Sequence, residues 1–401
     1  MQRAPDTSFA IVLAAIVFTG GAAGADWPNF LGPNHNGISD ETGFIKSTTE
    51  PLKLIWDREI GSAFSSFAIA DHRLFTCGQE DKQQNFYCLN AVTGEVIWKK
   101  PFEKEFRNEH GDGTRATPTV HDGLVYILGA RGRLLCTDAK SGEIVWEKQF
   151  NNAPTWAYSG SVLIEGDLAI ASGGKSDGAL VAFDRKTGQE VWKTGDDPVG
   201  YATPYPFTFN GQRYIVGFLG SAAIIVEAKT GREVWRTKWE TDWEVNAASP
   251  MFHDGYLFFT SGYHTGAALY KLAAEGDELS AAEVWRSDVL LNKFQSAILH
   301  EGHLYTSDQN ALKCVEFLTG KEKWKKPRVT NGTLILAEGH LILLTEKGQL
   351  QIAKASPEDF TPTLTTDILS GRCWSTPVLF NGRLYARNLD RLVCFNLRPQ
   401  G

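Results

Sequence analysis

The chain has 401 residues, of which 42% are hydrophobic and 11% aromatic, enough for a sizeable packed core. Its formal net charge is −7, which argues against a nucleic-acid partner, because phosphate binding needs a concentrated positive surface. This length has room for two or three ordinary domains, but a recurring eleven-residue segment favours one closed array.

The first 25 residues have the pattern of a secretory signal peptide. Arg3 gives a weakly basic start, residues 9–18 are apolar, and Ala23-Gly24-Ala25 is a small-residue cleavage site. The apolar run is short for a bilayer span, so cleavage after Ala25 is favoured over a retained anchor. We therefore expect a periplasmic or secreted monomer without an integral membrane segment after cleavage.

Residues 26–51 are expected to form an N-terminal arm in front of the repeats. The segment 26–40, DWPNFLGPNHNGISD, is rich in Gly, Pro and Asn and lacks the periodicity of a helix or strand. Its large aromatic residues, Trp27 and Phe30, are the expected anchors against the main body. This predicts a strap rather than a separate domain.

The segment CTDAKSGEIVW at residues 136–146 recurs along the rest of the chain. Clear copies lie at residues 88–98, 182–192 and 225–235, and degenerate ones lie at 314–324 and before Trp285, where an insertion replaces the turn. Self-similarity at a period of about 40–50 residues is typical of repeat architectures. Residues 52–401 are therefore expected to form a single repeat domain.

Each repeat is predicted to be a four-stranded antiparallel sheet. In the second repeat, strands are predicted at residues 116–120, 124–128, 134–138 and 143–148, with Gly at the turns. Eight third strands follow one another, and residues 52–60 look like a fourth strand with no sheet before it. Joining that strand to the last repeat closes a ring and removes both free edges. The prediction is an all-β, eight-bladed β-propeller, with seven blades as the alternative.

One tryptophan in each repeat is expected to lock neighbouring blades together. These tryptophans follow one another at intervals of 39 to 50 residues, and burying such a side chain contributes on the order of 2–3 kcal/mol. The predicted docking residues are Trp98, Trp146, Trp192, Trp235, Trp285 and Trp324, with Trp56 on the closing strand.

The pattern A/C-x-D-x-x-T-G-x-x-x-W resembles the tryptophan-docking motif of pyrroloquinoline-quinone (PQQ)-type propeller repeats. Such repeats occur in quinoprotein alcohol dehydrogenases and in outer-membrane assembly factors of the BamB type. The resemblance extends over residues 52–397 and implies the kind of propeller. It does not imply one activity, because this fold carries catalysts, scaffolds and binding modules alike.

Strand parity divides the loops of the predicted propeller between two faces. One face has tight turns, such as residues 121–123, and the other has long, variable connections between blades. Binding usually resides in variable loops on a rigid scaffold. The loop-rich face is therefore the candidate binding face.

The candidate ligand-binding residues lie at the expected channel mouth and on the loop-rich face. They are polar or aromatic with one cation, a set suited to hydrogen bonding and stacking. They are Arg115, Trp156, Tyr158, Tyr201, Trp243, Asn246, Gln295 and Trp374. No nucleophile–base pair is present among them, so no catalytic residue is predicted.

No metal site is predicted, because the histidines, such as His300 and His303, fall in or beside repeated turns of separate blades. The resemblance to quinoprotein dehydrogenases would imply PQQ with calcium, a catalytic Asp and a disulfide between adjacent cysteines. No two of the six cysteines are adjacent, and no calcium-ligand pattern is recognisable. We therefore expect no cofactor, with PQQ and calcium as the alternative.

The sequence favours an exported, non-catalytic propeller that binds a protein, peptide or glycan through its loop-rich face. A PQQ- and calcium-dependent dehydrogenase is one alternative. A BamB-like outer-membrane assembly scaffold is another, although no lipid-attachment cysteine lies near the predicted cleavage site. An acidic pair, Asp242 and Glu244, would suit a glycan-processing enzyme, but two carboxylates in one loop are more often a solvated surface.

Overall fold

The computed structural model describes residues 26–43, 52–276 and 278–398. Within these ranges eight four-stranded antiparallel sheets form the blades of a β-propeller, which confirms the predicted eight-bladed fold over the seven-bladed alternative. Lys175–Asp177 and Asp242–Glu244 are the only helical segments described, and both are short 3₁₀ turns. None of the helices in these ranges is long and apolar enough to cross a membrane. The predicted leader and residues 44–51 of the arm lie outside the described residues.

The first strands of neighbouring blades contact one another around the channel, and the fourth strands form the outer edge. Blade 1 contains the strands Ala68–Ala70, Arg73–Glu80, Gln83–Asn90 and Val96–Lys104, and blade 2 contains Thr119–His121, Leu124–Leu128, Arg133–Asp138 and Ile144–Gln149. Blade 3 contains Leu163–Glu165, Leu168–Ala171, Leu180–Asp184 and Glu190–Thr194, and blade 4 contains Tyr205–Phe209, Gln212–Phe218, Ala222–Glu227 and Glu233–Lys238. Blade 5 contains Met251–His253, Tyr256–Ser261, Gly266–Glu275 and Glu278–Ser287, and blade 6 contains Ile298–His300, His303–Ser307, Ala311–Glu316 and Glu322–Pro327. Blade 7 contains Thr333–Ala337, His340–Leu344, Gln349–Lys354 and Pro362–Asp367, and blade 8 contains Val378–Phe380, Arg383–Arg387 and Arg391–Asn396.

The ring closes as the sequence predicts. Lys53–Glu59 pairs antiparallel with Arg391–Asn396 and becomes the fourth strand of blade 8. Trp56 lies opposite Cys394 in this pairing, which is the position that docking tryptophans occupy in complete blades. Closure therefore leaves blade 8 with the same number of strands as the others.

The recurring segment folds into a hairpin held by its aspartate. In blade 2 the Asp138 carboxylate accepts the backbone N–H groups of Ser141 and Lys140, at 2.8 and 3.0 Å. These bonds, with that from the Ser141 hydroxyl, lower the pKa of Asp138. Gly142 has a φ of 71°, which glycine adopts without steric cost.

A β-bulge then directs the docking tryptophan into the gap between two blades. The register shifts between Ile144 and Trp146. Ile144 and Val145 are left exposed, whereas Trp146 is buried. The extra residue at the bulge turns the indole toward the next blade.

Six docking tryptophans donate their indole N–H to a backbone carbonyl of the following blade. The donor and acceptor pairs are Trp56 and Ala91 (3.1 Å), Trp98 and Ala139 (3.2 Å), Trp146 and Arg185 (2.9 Å), Trp192 and Ala228 (3.2 Å), Trp285 and Phe317 (2.9 Å), and Trp324 and Ser356 (2.9 Å). These bonds connect successive blades at the outer side of the ring.

Trp235 is the exception among the predicted docking residues. It is half-buried and lies 5.4 Å from the ring of Tyr270, and its indole N–H has no acceptor in the described part of the chain. The following blade has lengthened third and fourth strands, Gly266–Glu275 and Glu278–Ser287, in place of the Asp–Thr-Gly hairpin. The residue equivalent to the other acceptors, Leu272, therefore lies within a paired strand opposite Ala281 and not in a turn.

Glycines in the repeated turns also pack against the docking rings. Comparing one such glycine with a turn glycine that has no neighbour separates the cost of a steric clash from the cost of backbone strain. A Cβ at Gly188 would lie 2.7 Å from the Trp146 ring, whereas one at Gly123 would have no atom within 4 Å, and both have φ above 70°. We expect Gly123→Ala to cost about 1 kcal/mol from φ alone, and Gly188→Ala to cost about 1–3 kcal/mol more. Urea unfolding of both variants measures the difference; equal losses would show that the ring contact does not matter.

The start of the arm lies against the first strands of blades 1 and 2. Trp27 exchanges two backbone hydrogen bonds with Ile69, at 2.9 and 2.8 Å, and its side chain is only 2% exposed. The carbonyl of Pro28 accepts the N–H of Val120 at 2.7 Å. Trp27 is therefore an anchor, as predicted.

The arm then reaches blade 6, opposite blade 2 in the ring, where a Cβ at Gly37 would lie 3.0 Å from the Ile298 side chain. Ile38–Ser39 pairs in parallel with the first strand of blade 7, and the Glu41 carboxylate accepts the N–H groups of Asn381 and Gly382 in the first turn of blade 8. The arm thus crosses the channel on the tight-turn side. Phe30, predicted to be an anchor, lines the cavity above the arm instead.

A buried arginine lies where the two ends of the ring meet. Arg387 in blade 8 is fully buried, and its burial lowers the pKa to about 10, so the guanidinium is charged at neutral pH. Its acceptors are one hydroxyl and five carbonyls: Thr76 Oγ1 (3.1 Å) and the oxygens of Gly61 (3.4 Å), Ser65 (2.9 Å), Cys77 (2.8 Å), Asn388 (3.1 Å) and Leu389 (2.8 Å). The side chain therefore ties blade 8 to blade 1 from within.

Candidate binding funnel

A funnel opens at the channel mouth on the loop-rich face. The space within it is about 1170 Å³, part of which is open solvent at the mouth. Phe30 of the arm contributes to its wall. Its lining comprises Phe30, Phe64, Trp156, Tyr201, Tyr263, Phe294 and Trp374; Arg115, Lys293 and His110; Ser66, Thr117, Ser159, Ser161, Thr203, Ser375 and Thr376; and Asn108, Val245 and Ala247. The wall thus combines aromatic rings, hydroxyls and cations, which is typical of a ligand pocket with a few orienting polar groups.

Trp374 packs among aromatic rings on the funnel wall. Its ring stacks on Phe64 at a centroid distance of 5.4 Å and an angle of 19°, and Phe294 lies 4.8 Å away. The indole N–H donates to Glu346 at 2.8 Å, and the Arg372 guanidinium lies 4.6 Å from the ring centre. These contacts hold the ring in a fixed orientation on the wall.

A second aromatic group surrounds Trp156 and adjoins the first, because His110 also lies 6.1 Å from Trp374. Trp156 lies 6.2 Å from Tyr201, 6.0 Å from His110 and 6.1 Å from Trp243. Trp243 is 64% exposed, and both it and Glu244 have positive φ, at 62° and 60°. Backbone strain of this kind in non-glycine residues persists where the surrounding structure enforces it and is common at binding sites. The structure therefore presents an exposed indole at the funnel rim.

Arg115 is held inside the wall by backbone carbonyls. Its guanidinium donates to the oxygens of Trp156 (3.1 Å), Gly111 (2.7 Å) and Gly113, and it lies 4.7 Å from the centre of the Phe106 ring. Burial lowers the pKa of Arg115 to about 10, which leaves the group charged at neutral pH. It is therefore a fixed cation beside an apolar surface.

The structure places the predicted ligand-binding residues in two groups. Arg115, Trp156, Tyr201 and Trp374 line the funnel, and Trp243 lies at its rim. The ligand contacts predicted for these five residues remain predictions.

The other three predicted residues lie behind the funnel wall. Tyr158 donates its hydroxyl to the carbonyl of Gly173 at 2.9 Å, and Asn246 donates to two carbonyls at 2.6 and 3.1 Å. Gln295 donates to Asn331 at 3.2 Å. All three are buried, so in this structure they hold the loops together and do not face the cavity.

Sequence reasoning missed a set of hydroxyls that connect neighbouring blades around the funnel. Thr117 Oγ1 accepts the N–H of Ser66 at 3.2 Å, Ser161 Oγ accepts that of Thr117 at 3.0 Å, and Thr203 Oγ1 accepts that of Ser161 at 2.9 Å. A sequence signal was present, because a Ser/Thr-Pro pair recurs just before first strands. These pairs are Thr117-Pro118, Thr203-Pro204, Ser249-Pro250 and Thr376-Pro377.

The funnel does not have the donor set of a quinone–calcium site. None of its described lining residues is Asp or Glu, whereas calcium in proteins is bound by carboxylate and carbonyl oxygens. Cys373, beside Trp374 in sequence, is buried, and burial raises the pKa of its thiol to about 12. Nor do three His, Cys, Asp or Glu side chains come together as a metal site anywhere in the described ranges. The residues present therefore do not fit the calcium ion that accompanies PQQ in such dehydrogenases.

The histidines at the tight turns are separated in the way that the repeats predict. His121 lies 3.4 Å from Asp122 and His253 lies 3.3 Å from Asp254, each within its own blade. His303 makes a local hydrogen bond with the carbonyl of Glu301. These residues contact their own turns.

Comparisons with known proteins match the repeats and the ring. A PQQ-repeat family model, described as outer membrane protein assembly factor BamB, matches residues 46–200. The outer membrane protein assembly factor BamB of Burkholderia pseudomallei (strain K96243) is 23% identical over 194 residues, which cover 46% of this chain and 46% of that protein. The chain is thus aligned with about half the length of this relative.

Solved structures resemble the whole propeller. BamB from Moraxella catarrhalis has a TM-score of 0.62 at 14% identity, covering 88% of this chain and 99% of that one. Quinohemoprotein alcohol dehydrogenase from Comamonas testosteroni has a TM-score of 0.67 at 11% identity, covering 94% and 81%. These two neighbours share the fold at identities too low to carry a function. In its repeats and its eight blades, the chain is similar to PQQ-like propeller repeat proteins.

Proposed function

We propose that this protein is an exported, non-catalytic binding propeller that captures a polypeptide partner through the funnel and its rim. The observation that carries the proposal is the concentration of aromatic side chains there. Trp243 is exposed beside Trp156, and Trp374 lies in a cluster with Phe64 and Phe294. Exposed and half-buried aromatic residues on a rigid frame are typical of protein interfaces.

The chemistry of the funnel favours binding over catalysis. Its described lining has no carboxylate, and the hydroxyls of Ser66, Ser159 and Ser375 donate to backbone carbonyls rather than to a base. A nucleophile needs a neighbouring base that is itself oriented. The geometry thus supports a function without PQQ, calcium or another cofactor.

The identity of the similar proteins favours a polypeptide over a glycan as the partner. The Burkholderia relative is named outer membrane protein assembly factor BamB, and the Moraxella structure is also named BamB. A BamB-like assembly scaffold in the periplasm is therefore one specific form of this proposal, and the predicted leader supports export.

The proposal is tested by placing a photo-crosslinking amino acid at positions 243 and 374 of the exported protein in cells. We expect both positions to give the same polypeptide adduct, because both side chains face one binding region. Position 318 is the matched control, since Leu318 is 52% exposed and apolar but lies in a tight-turn hairpin.

Loss of the contact is measured with the double variant Trp243→Ala/Trp374→Ala. We expect at least tenfold weaker capture of the crosslinked partner at an unchanged fold, because truncation of central aromatic residues costs 2 kcal/mol or more. Adducts from position 318 alone, or a calcium-dependent absorbance change on adding PQQ, would contradict the proposal.

A further inference from the structure

Two cations in the funnel wall have no carboxylate partner. Lys293 lies 5.3 Å from the centre of the Tyr263 ring, and neither Lys293 nor Arg115 forms an ion pair with any described Asp or Glu. The Asp112 carboxylate acts on the charge of Arg115 from a distance without forming an ion pair with it. One of its oxygens accepts the backbone N–H of Asn108 at 2.9 Å. Positive charge is therefore left open toward the funnel in a chain whose net charge is −7.

Hydrogen-bond donors also remain unused on the same wall. Arg115 has five N–H groups, and three of them donate to the carbonyls described above. The hydroxyls of Thr117, Ser161 and Thr203 each accept a backbone N–H, and within the described ranges no protein acceptor takes their protons. Blades 2, 3 and 4 thus present a row of donors to the cavity.

An acceptor-rich anion satisfies both features. A carboxylate accepts several hydrogen bonds and supplies the negative counter-charge that Arg115 and Lys293 lack. Hydrogen bonds between such charged groups are shorter and stronger than those between neutral groups. The surrounding Trp374, Phe64 and Phe294 rings favour an aromatic group attached to that carboxylate.

We propose that the funnel wall formed by Arg115, Thr117, Ser161, Thr203 and Lys293 is a carboxylate-binding subsite for a peptide in which a carboxylate lies next to an aromatic side chain. This inference rests on the proposed function, because it names the group of the polypeptide partner that enters the funnel. It adds a requirement for charge that aromatic stacking alone does not impose.

The test uses two probes that differ only in charge, N-acetylphenylalanine and N-acetylphenylalaninamide. Their dissociation constants for the whole exported protein are measured by ligand-observed NMR at low salt. We expect the acid to bind about tenfold more tightly than the amide, since only the acid carries a negative charge that attracts both Arg115 and Lys293. Added salt should weaken binding of the acid and leave that of the amide unchanged.

Two variants assign the preference to the subsite. Arg115→Gln should abolish the preference for the acid, and Lys293→Gln should reduce it to about threefold. Lys293 makes no hydrogen bond to a described protein group, so its variant keeps the fold even if Arg115→Gln does not. A control variant, Lys271→Gln, changes a cation on blade 5 outside the funnel lining and should leave the preference unchanged.

The outcomes separate this inference from the proposed function. Equal binding of acid and amide would overturn the carboxylate subsite and leave aromatic capture standing. Binding of neither probe, together with loss of crosslinking at positions 243 and 374, would overturn both. Tight binding of glucuronic acid without binding of N-acetylphenylalanine would overturn the peptide assignment in favour of an acidic sugar.

Discussion

Arg387→Ala is expected to lower the free energy of unfolding by about 3–5 kcal/mol, or to prevent folding at 37 °C. The substitution removes six hydrogen bonds and leaves buried acceptors without donors, each at a cost of about 1–3 kcal/mol before relaxation. It also leaves a cavity where blade 8 meets blade 1. Thermal melting followed by circular dichroism, with urea unfolding where the protein is soluble, measures the loss.

Two companion variants isolate the cause. Arg387→Met preserves most of the volume but donates no hydrogen bond, so it should lose nearly as much stability as the alanine variant. Arg391→Ala removes an arginine that is 52% exposed and paired with Asp57, and surface ion pairs are worth about 0–1 kcal/mol. Wild-type stability in the Arg387→Met variant would show that the buried bonds contribute little.

Trp146→Ala is expected to destabilise the propeller by about 3–5 kcal/mol, the range for buried large-to-small substitutions. Trp146 is 7% exposed, donates to the carbonyl of Arg185 and packs near Tyr126 and Phe183. Trp235→Ala is the internal control, because Trp235 is half-buried and lacks the interblade bond. Its loss should be about 1–2 kcal/mol.

The comparison of these two tryptophans tests whether docking requires the carbonyl of the next blade. Both variants are unfolded in urea under the same conditions, and the midpoints are compared at equal slopes. A loss at Trp235 equal to that at Trp146 would mean that neither the interblade bond nor the deeper burial of Trp146 determines the stability of the interface.

Most of the fold could be predicted because its determinants are local and repeated. The Asp138 turn, Gly142 and the Trp146 bulge lie within eleven residues, and copies of the segment mark successive blades. The unpaired strand in front of the first repeat then required a partner, and Lys53–Glu59 pairs with Arg391–Asn396 as expected. Trp235 was predicted to dock like the other tryptophans, and only the structure showed that the insertion before Trp285 changes its surroundings.

The candidate site could be predicted only to the level of a face. Residues at equivalent positions before the first strands were all expected at the mouth, yet Arg115 and Tyr201 line the funnel while Asn246 and Gln295 are buried. The difference arises from side-chain hydrogen bonds with distant loops, such as the bond from Asn246 to Leu219. Sequence spacing does not specify these partners.

The sequence by itself determined the number of blades, the closure of the ring and the position of the docking tryptophans. These features follow from short-range turn geometry and from the period of the repeat. The tertiary structure alone decided which side chains face the funnel, that the arm crosses the channel, and that Arg387 joins the last blade to the first. The first outcome depends on side-chain hydrogen bonds between separate loops, such as the bond from Asn246 to Leu219. The other two depend on contacts between residues more than 300 positions apart, such as Glu41 with Asn381 and Arg387 with Ser65, and these contacts exist only once the ring has closed.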